Sequence, residues 1–570
     1  MFGKLISRIQ GKKSDHPLGS DENLDVLIAD IPQADPGRLL LDVDHWLGET
    51  ELCATDIGAE AVLNALFRLD EFSRAGADEL LTRYLSAGKR EYMADSIWSA
   101  VETHAAQLFE GYKRSLAALP AAKSDSDKAR LARCAARALR AWALRKKMQR
   151  FRYRSPSAAL WLDAHNLLQV LGRMGLQQAS VVAYRDEVPT TPFREYLIGL
   201  YLEFVPLGNL VPQQLELADR FLRTCEGLEL SQQSHPLSTS RIDLATGSGP
   251  KPLEEGEAVA DSVRYCSVLK LRGSLMKFAA LAKKHDAAPP WLTGLPATQE
   301  QIASGIVTLM TYWATTPPKR SKDRFDQKVE LRVVFGFGLA RRMIAASHYA
   351  RKGRSFKYEG DDIYRLFEES RFGRVTQVGD VAKDVAKDAA QDGATDGVEP
   401  EVSSPLEILR KLELRGDLAL METWKQVDES ATGFGVVVPA VLPRHRIGIM
   451  VCLRHLDGLD WRMGLIRRIG RDAENRPSIG IETLAWPSIC AQAKPSGNGV
   501  VWAKAVEGGH DWLDAVIASR EGKELILPAG AFGAGMEIDV RSEEGLWRLR
   551  LESLLERGSD FDRIEFTRIS

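Results

Sequence analysis

From about residue 25 to about 300 the apolar positions recur at helical spacing. Residues 58–72 place Val62, Leu63, Leu66, Phe67 and Leu69 on one broad face. Residues 96–119 repeat the pattern with Ile97, Val101, Ala105, Leu108, Phe109, Tyr112 and Leu116, and 158–171 and 193–204 do so again. Asp125 or Ser126 stands where it would cap a helix beginning near Asp127. Short apolar helices in succession predict a bundle or a helical-hairpin solenoid, without the fixed period of tetratricopeptide repeats. Aromatic positions such as Phe193, Tyr196 and Tyr201 read as core. Between about 225 and 255 the period breaks. Residues 228–230 and 241–244 read as short strands of a hairpin packed on the helices, and helices resume at 261–284 and 298–314.

Pro317-Pro318 ends this helical stretch. Val329-Glu-Leu331-Arg-Val333-Val-Phe335 then alternates as a half-buried strand, followed by a helix over 339–350. Residues 378–404 repeat Val-Ala-Lys-Asp and then run through Asp, Ala, Gly and Thr, a composition too poor in bulky apolar side chains to build a core. Residues 406–420 predict one helix and an entry strand, and 420–486 carry a set of strands. Further short strands at 524–527, 536–540, 547–551 and 563–567 predict a small β-subdomain that extends or packs on the preceding one.

With 570 residues the chain is long enough for several domains, and a formal net charge of -2 provides no global basic field to draw in nucleic acid. The basic stretch from Arg133 to Arg154 reads as a solvated helix face ending in a loop. Six scattered cysteines, with no C-x-x-C, argue against a disulfide framework or a zinc site and fit a reducing cytosol. No apolar run reaches the length of a membrane span, and the N-terminal segment reads as a frayed tail.

Little chemistry of the catalytic kind is legible. Gly336-Phe-Gly338 follows a strand as a dinucleotide loop does, but the third glycine is missing. P-loop, metalloprotease and nucleophile-elbow motifs are absent, and His445 and His455 read as barrel-edge or surface residues. Two other segments are more informative. Arg320-Ser-Lys-Asp-Arg324 holds two guanidinium forks four residues apart, just ahead of a strand. Asp428-Glu-Ser430-Ala-Thr-Gly433 supplies an acceptor-rich turn ending in glycine. Arginine forks match phosphate oxygens or the guanine O6/N7 edge, a carboxylate accepts from the guanine N1–H and N2–H₂ edge, and glycine lets backbone approach a ligand.

R-x-x-x-R followed by D-x-S-x-x-G resembles the signature of PilZ domains, small β-barrels that bind the bacterial second messenger cyclic di-GMP. Trp461-Arg-Met-Gly464-Leu-Ile-Arg467-Arg and Ser478-Ile-Gly480-Ile-Glu-Thr-Leu484 resemble the two strands that close such a barrel. The connection between the two halves of the signature, about 336 to 420, is longer than the family's.

The resemblance implies an α+β chain: a tail (1–24), a mostly helical module (25–315), a PilZ-like antiparallel barrel (316–345 and 420–488) interrupted by an insertion (346–419), and a β-rich C-terminal subdomain (489–570). It implies a cytoplasmic, non-enzymatic receptor without cofactor or metal, whose ligand is cyclic di-GMP. Arg320 and Arg324 would clamp phosphate and guanine, Asp428 and Ser430 would read a guanine, and Gly433 would leave room at the strand start. Binding would order the junction before the first strand, with the output passed to a protein partner in motility, attachment or pili. The alternative is a scaffold with a degenerate barrel that binds proteins and no nucleotide.

Overall fold

The computed structural model describes residues 16–86, 91–120, 122–206, 208, 210–253, 260–282, 289–314, 325–351, 406, 421–430, 432–472, 476–484, 488–496, 502, 512–518, 523–542 and 545–569. The chain divides into two compact units, Met1–Lys319 and Arg320–Ser570. The expected α+β organisation holds, with helices first and antiparallel barrels after.

In the first unit the helices are α1 (Asp21–Asp30), α2 (Pro36–Leu52), α3 (Ala54–Ile57), α4 (Ala59–Ser86), α5 (Glu91–Ala118), α6 (Asp125–Phe151), α7 (Ala158–Arg173), α8 (Pro192–Tyr201) and α9 (Pro212–Thr224). Their starts are written in the sequence. Asp35 caps α2 by accepting from the Gly37 and Arg38 amides, ahead of a proline at the first helical position. Thr191 and Pro192 do the same for α8. Ser124, not Asp125 or Ser126, caps α6, in a reciprocal box with Asp127. The core joins Leu40 and Val43 of α2, Leu66 and Leu69 of α4, Phe109 and Tyr112 of α5, and Leu139 and Trp142 of α6. Trp142 stacks on Tyr196 at 5.6 Å and meets Trp161 edge-on, so the aromatic stripe of α8 is core, as its spacing predicts.

The basic helix α6 corrects the sequence reading. Its cations do not form a solvated face: Arg137, Lys146, Lys147 and Arg150 are buried. Arg137 donates to the Ala183 and Phe67 carbonyls and pairs with Asp70 and Glu71. Lys147 pairs with Asp219 at 2.7 Å, and Lys146 and Arg150 share Glu203. Because α6 packs against α5, α7, α8 and α9, almost all of its circumference faces protein, and each charge needs a partner.

The irregular stretch that follows holds a three-stranded sheet of β1 (Ser240–Asp243), β2 (Lys251–Pro252) and β3 (Val263–Cys266), in the order β2-β1-β3. The strand expected at 228–230 is reduced to an isolated bridge between Ser231 and Tyr265. Residues 263–266, expected in a helix, form β3, and the helix starts later as α10 (Leu269–Ala282); α11 (Gln299–Tyr312) ends the unit.

The second unit contains two closed six-stranded antiparallel barrels. The first runs β4 (Phe325–Phe335), β5 (Glu422–Ser430), β6 (Gly433–Val437), β7 (Met450–His455), β8 (Arg462–Arg471) and β9 (Pro477–Thr483), ordered β4-β5-β6-β9-β8-β7. The long connection between β4 and β5 does not part them. They are neighbours over most of their length, and helix α12 (Phe337–Arg351) opens that connection. The small β-subdomain expected after residue 489 is itself a barrel, made of β10 (Ile489–Pro495), β11 (Leu513–Ile517), β12 (Glu524–Pro528), β13 (Glu537–Ser542), β14 (Gly545–Arg557) and β15 (Phe561–Arg568). It has its own core of Ala493, Leu525, Ile538, Val540, Leu549 and Ile564.

Helix α12 lies between the barrels. Phe337, Ala340, Met343 and Ile344 pack with Met450, Met463 and Leu465 of the first barrel and Val516, Ile526 and Phe561 of the second. The Phe337 amide donates to the Asp560 carboxylate at 2.6 Å, so a side chain of the second barrel caps α12. The Gly336-Phe-Gly338 turn is therefore occupied by a protein carboxylate, the position a dinucleotide phosphate would take. Residues 378–404 and 407–420, read from sequence as linker and entry segment, lie outside the described residues, as do 1–15 of the tail expected over 1–24; the rest of that tail is ordered, with Leu18 and Leu24 buried and α1 starting at Asp21.

Candidate functional site

Asp428, Ser430 and Gly433 come together on one hairpin. β5 ends at Ser430, β6 begins at Gly433, and the two residues pair directly across a two-residue turn. The Ser430 hydroxyl donates to the Gly433 carbonyl at 3.3 Å and accepts from the Thr432 amide at 3.4 Å, so it shapes the turn. Gly433 is required by close approach: a Cβ there would overlap the Ile481 carbonyl oxygen on β9.

Arg320 and Arg324 lie outside the described residues. The chain enters β4 at Phe325, whose partner is Glu429, and Asp326 pairs with Asp428. Arg324 immediately precedes Phe325 in sequence.

The register extends the hairpin into a face. Asp428 pairs with Gly435, Gly435 with Gly480, and Gly480 with Arg468, one row across β5, β6, β9 and β8. The next row is Ser430, Gly433, Glu482 and Leu465. Directly paired residues share a face of the sheet. The intervening residues Phe434, Val436, Ile479 and Ile481 are buried and turn to the other side, the barrel interior. The two rows therefore lie on the outside, where Leu465 joins the core around α12.

Two features make this face distinctive. Its middle has no side chains of its own, because Gly435 and Gly480 stand there, and charged neighbours fold over both. Its sides are charged. The Asp428 carboxylate folds over Gly435, in space that a Cβ at 435 would claim. From the opposite side Arg468 lies over Gly480, its Cβ 3.3 Å and its Nε 3.7 Å from the place of a Cβ. Three strand spacings, about 14 Å, separate β5 from β8. Beside Arg468, Arg467 is pushed outward by a bulge between Ile466 and Arg468. Its guanidinium donates to Glu482 at 2.5 Å and bidentately to Glu556 of the second barrel at 2.6 Å. Burial alone would lower its pKa, but these carboxylates hold its charge firmly. The second barrel thus stands at the β8 edge of the face.

Sequence reasoning found Asp428, Ser430 and Gly433 from their spacing, but missed Gly435 and Arg468 as parts of the same row. The available signal was Gly433-Phe-Gly435, two glycines at strand period, the second of which faces Gly480.

Two histidine clusters are structural. His445 is buried, not at an edge or surface: its ring stacks on Phe335 at 5.5 Å and meets Trp424 edge-on. Its Nδ1 accepts from the Leu442 amide and its Nε2–H donates to Glu422 at 3.0 Å. Burial pushes the Glu422 carboxyl up, but hydrogen bonds from His445, Trp424 and Arg444 outweigh it and hold the group down at about 2. In the first unit, His104 links Asp44 (2.5 Å) and Ser73 (3.0 Å). Ser73 has no exposed surface, so this Ser-His-Asp line ties α2, α4 and α5 together and offers no substrate an approach. Among the described residues there is no group of three or more His, Cys, Asp or Glu placed to hold a metal, and no helix long and apolar enough to cross a membrane.

Residues 22–233, most of the helical unit, match the family model described as the N-terminal domain of the cyclic-di-GMP receptor FimW. The match covers less than half of the chain and stops before the barrels. No curated protein and no solved structure matches the chain.

Proposed function

We propose that this chain is a cyclic di-GMP receptor whose first barrel is PilZ-like and binds the dinucleotide on its outer face. The observation that carries the reading is the likeness of residues 22–233 to the N-terminal domain of a cyclic-di-GMP receptor. That likeness is independent of the D-x-S-x-x-G turn, which lies in the other unit and points to the same ligand.

The hairpin of β5 and β6 supports one way of holding the ligand. The Asp428 carboxylate, which lies over Gly435, accepts from the N1–H and N2–H₂ edge of a guanine. Gly433 keeps the approach to this edge clear. Arg320 and Arg324 supply forks for phosphate and the second guanine from the segment leading into β4, the strand paired with β5. The protein binds and relays, without covalent chemistry on the ligand, and passes the signal to a protein partner. Motility, attachment and pili are the processes the resemblance suggests.

Isothermal titration of the full chain with cyclic di-GMP, beside the Arg320→Ala/Arg324→Ala double variant, tests this. Micromolar or tighter binding that the variant loses is the expected result. A folded wild type that takes up no cyclic di-GMP ends the reading and leaves a protein-binding scaffold.

A further inference from the structure

Helices α1 and α2 leave an apolar groove open between them, in a stretch of chain dominated by carboxylates. We infer that this groove is the seat of the chain's own N-terminal segment, residues 2–9, which docks there as a basic amphipathic arm. The inference stands apart from the cyclic di-GMP reading and concerns the helical unit alone.

The seat has a volume of about 520 Å³. Leu27 and Ile31, at the end of α1, line it together with Leu41 and Trp46 of α2, and Asp30 and Asp42 add carboxylates. α1 is held from its other side: Leu24 joins the core, and Asn64 and Arg68 of α4 bind Asp21 and Asp25. Leu40, Val43 and Leu47 of α2 are buried, whereas Leu41 is 61% exposed. The open surface continues past the groove. Leu41, His45, Gly48 and Leu52 follow one another at helical spacing, a stripe about 16 Å long. Leu52 is 72% exposed, and nothing stands within 4 Å of the place of a Cβ at Gly48.

The sequence of residues 1–15 matches this seat in pattern, charge and reach. Phe2, Leu5, Ile6 and Ile9 recur at the spacing of one helical stripe, about 10 Å long, which the stripe of α2 can cover. Residues 21–52 hold nine Asp and Glu against a single arginine, while residues 1–15 hold Lys4, Arg8, Lys12 and Lys13 against Asp15. Opposite charge of this kind selects and orients a partner element. Within the groove Asp42 is paired with Arg38 at 3.0 Å, and Asp30 has no such pair among the described residues. The described chain begins beside the first turn of α1, where the His16 carbonyl accepts from the Asn23 side chain at 3.0 Å. Residues 10–15 span up to about 20 Å when extended, and α1 is about 15 Å long, so the arm can double back along α1 to the groove. The tether makes weak contacts sufficient. At an effective concentration on the order of 1 mM, a segment whose free peptide binds at about 0.1 mM is seated roughly nine-tenths of the time.

The test is fluorescence anisotropy of a labelled synthetic peptide of residues 1–15, titrated with full-length proteins. These are wild type; the arm variant Leu5→Asp/Ile9→Asp, whose own arm cannot hold the seat; and the arm variant carrying Leu41→Asp or, as a control at an exposed position elsewhere, Val188→Asp. Thermal melting and sedimentation are recorded for each. The arm variant should bind the peptide at about 0.1 mM or tighter, and wild type about tenfold more weakly because its own arm competes. Leu41→Asp should abolish binding without lowering the melting temperature, Val188→Asp should retain it, and added salt should weaken it. No binding by the arm variant overturns the inference, and so does equal binding by the arm variant and wild type. Undiminished binding with Leu41→Asp overturns the seat. Should Leu41→Asp lower the melting temperature, Asp30→Lys in the arm variant repeats the seat test by charge, and undiminished affinity there overturns it too. A peptide that binds anionic lipid vesicles and not the arm variant belongs to a membrane surface, and the inference fails. A wild-type dimer that the arm variant dissolves places the segment on a second copy and overturns seating within one chain.

Discussion

The Asp428 carboxylate occupies the space that a side chain at position 435 would need, so the acid and the glycine form one feature of the barrel's outer face. The residue that must yield to a methyl group there is the far end of a side chain, not backbone. Gly435→Ala should therefore leave the barrel folded, with a stability change below about 1 kcal/mol, while turning Asp428 away from the face. Cyclic di-GMP affinity should fall about tenfold in titration. Unchanged affinity would show that Asp428 does not need its present orientation.

Gly433 behaves differently because its neighbour is the Ile481 carbonyl, which cannot rotate away. Gly433→Ala should destabilise the second unit by about 1–3 kcal/mol, read as a lower denaturant midpoint with an intrinsic probe of the barrels. The contrast between positions 433 and 435 separates a folding requirement from a binding one two residues away.

Arg137 and Asp70 are buried in the helical unit, with Tyr112 and Tyr184 bonded to the same carboxylate. Removing either charge alone leaves the other in a dry site. Arg137→Met should cost about 3–5 kcal/mol, and Asp70→Asn less, since the amide still accepts hydrogen bonds. A double-mutant cycle by chemical denaturation should give strong coupling. Additive losses would mean that the two residues act separately.

His165 links acidity to stability. Its Nε2–H donates to the Ser248 carbonyl and its Nδ1 accepts from the Tyr196 hydroxyl, so the fold holds a neutral ring. Burial, with a further push from the Lys146 charge, lowers its pKa from 6.5 to about 4. Between those values the unfolded chain carries a proton that the folded one does not. Stability from this residue is complete above pH 6.5 and falls as pH drops toward 4, by on the order of 3 kcal/mol. The helical signal of His165→Gln should show a shallower fall of denaturant midpoint over that range. Parallel slopes for the two proteins would refute the assignment.

Asp560→Ala should remove the cap of α12, which is the 2.6 Å bond to the Phe337 amide. A loss of about 0.5–2 kcal/mol is expected, and hydrogen exchange should accelerate first in the initial turn of α12. Protection unchanged in that turn would mean that water replaces the carboxylate without cost.

The sequence made some of this legible and hid the rest for identifiable reasons. The apolar periods of α4, α5, α7 and α8 are local patterns, and the structure follows them. The charges of α6 were misread because their partners, Asp70, Glu195, Glu203 and Asp219, lie tens of residues away and leave no mark on the helix's own pattern. The second barrel was visible only as scattered short strands, because closure depends on pairing β10 with β13 and β12 with β15. In the candidate site, Asp428, Ser430 and Gly433 stand out by spacing. Arg468 does not. Counting by twos from the inward Ile466 sends it into the core, and only the bulge, set by tertiary pairing, turns it out.

The shared core around α12 also bears on how the protein is made. Residues from Val334 to Phe561 meet in it, and the helix that begins at Phe337 is capped by Asp560. During synthesis the helical unit can close while the chain is still growing. The first barrel can close once β9 has emerged, but the core it shares with the second through α12 waits for Phe561, nearly the end of the chain. On the ribosome, β4 lacks both strand partners until β5 and β7 have emerged, and the apolar face of α12 lacks its second-barrel contacts longer still; this interval is where chaperone protection of the nascent chain would matter most.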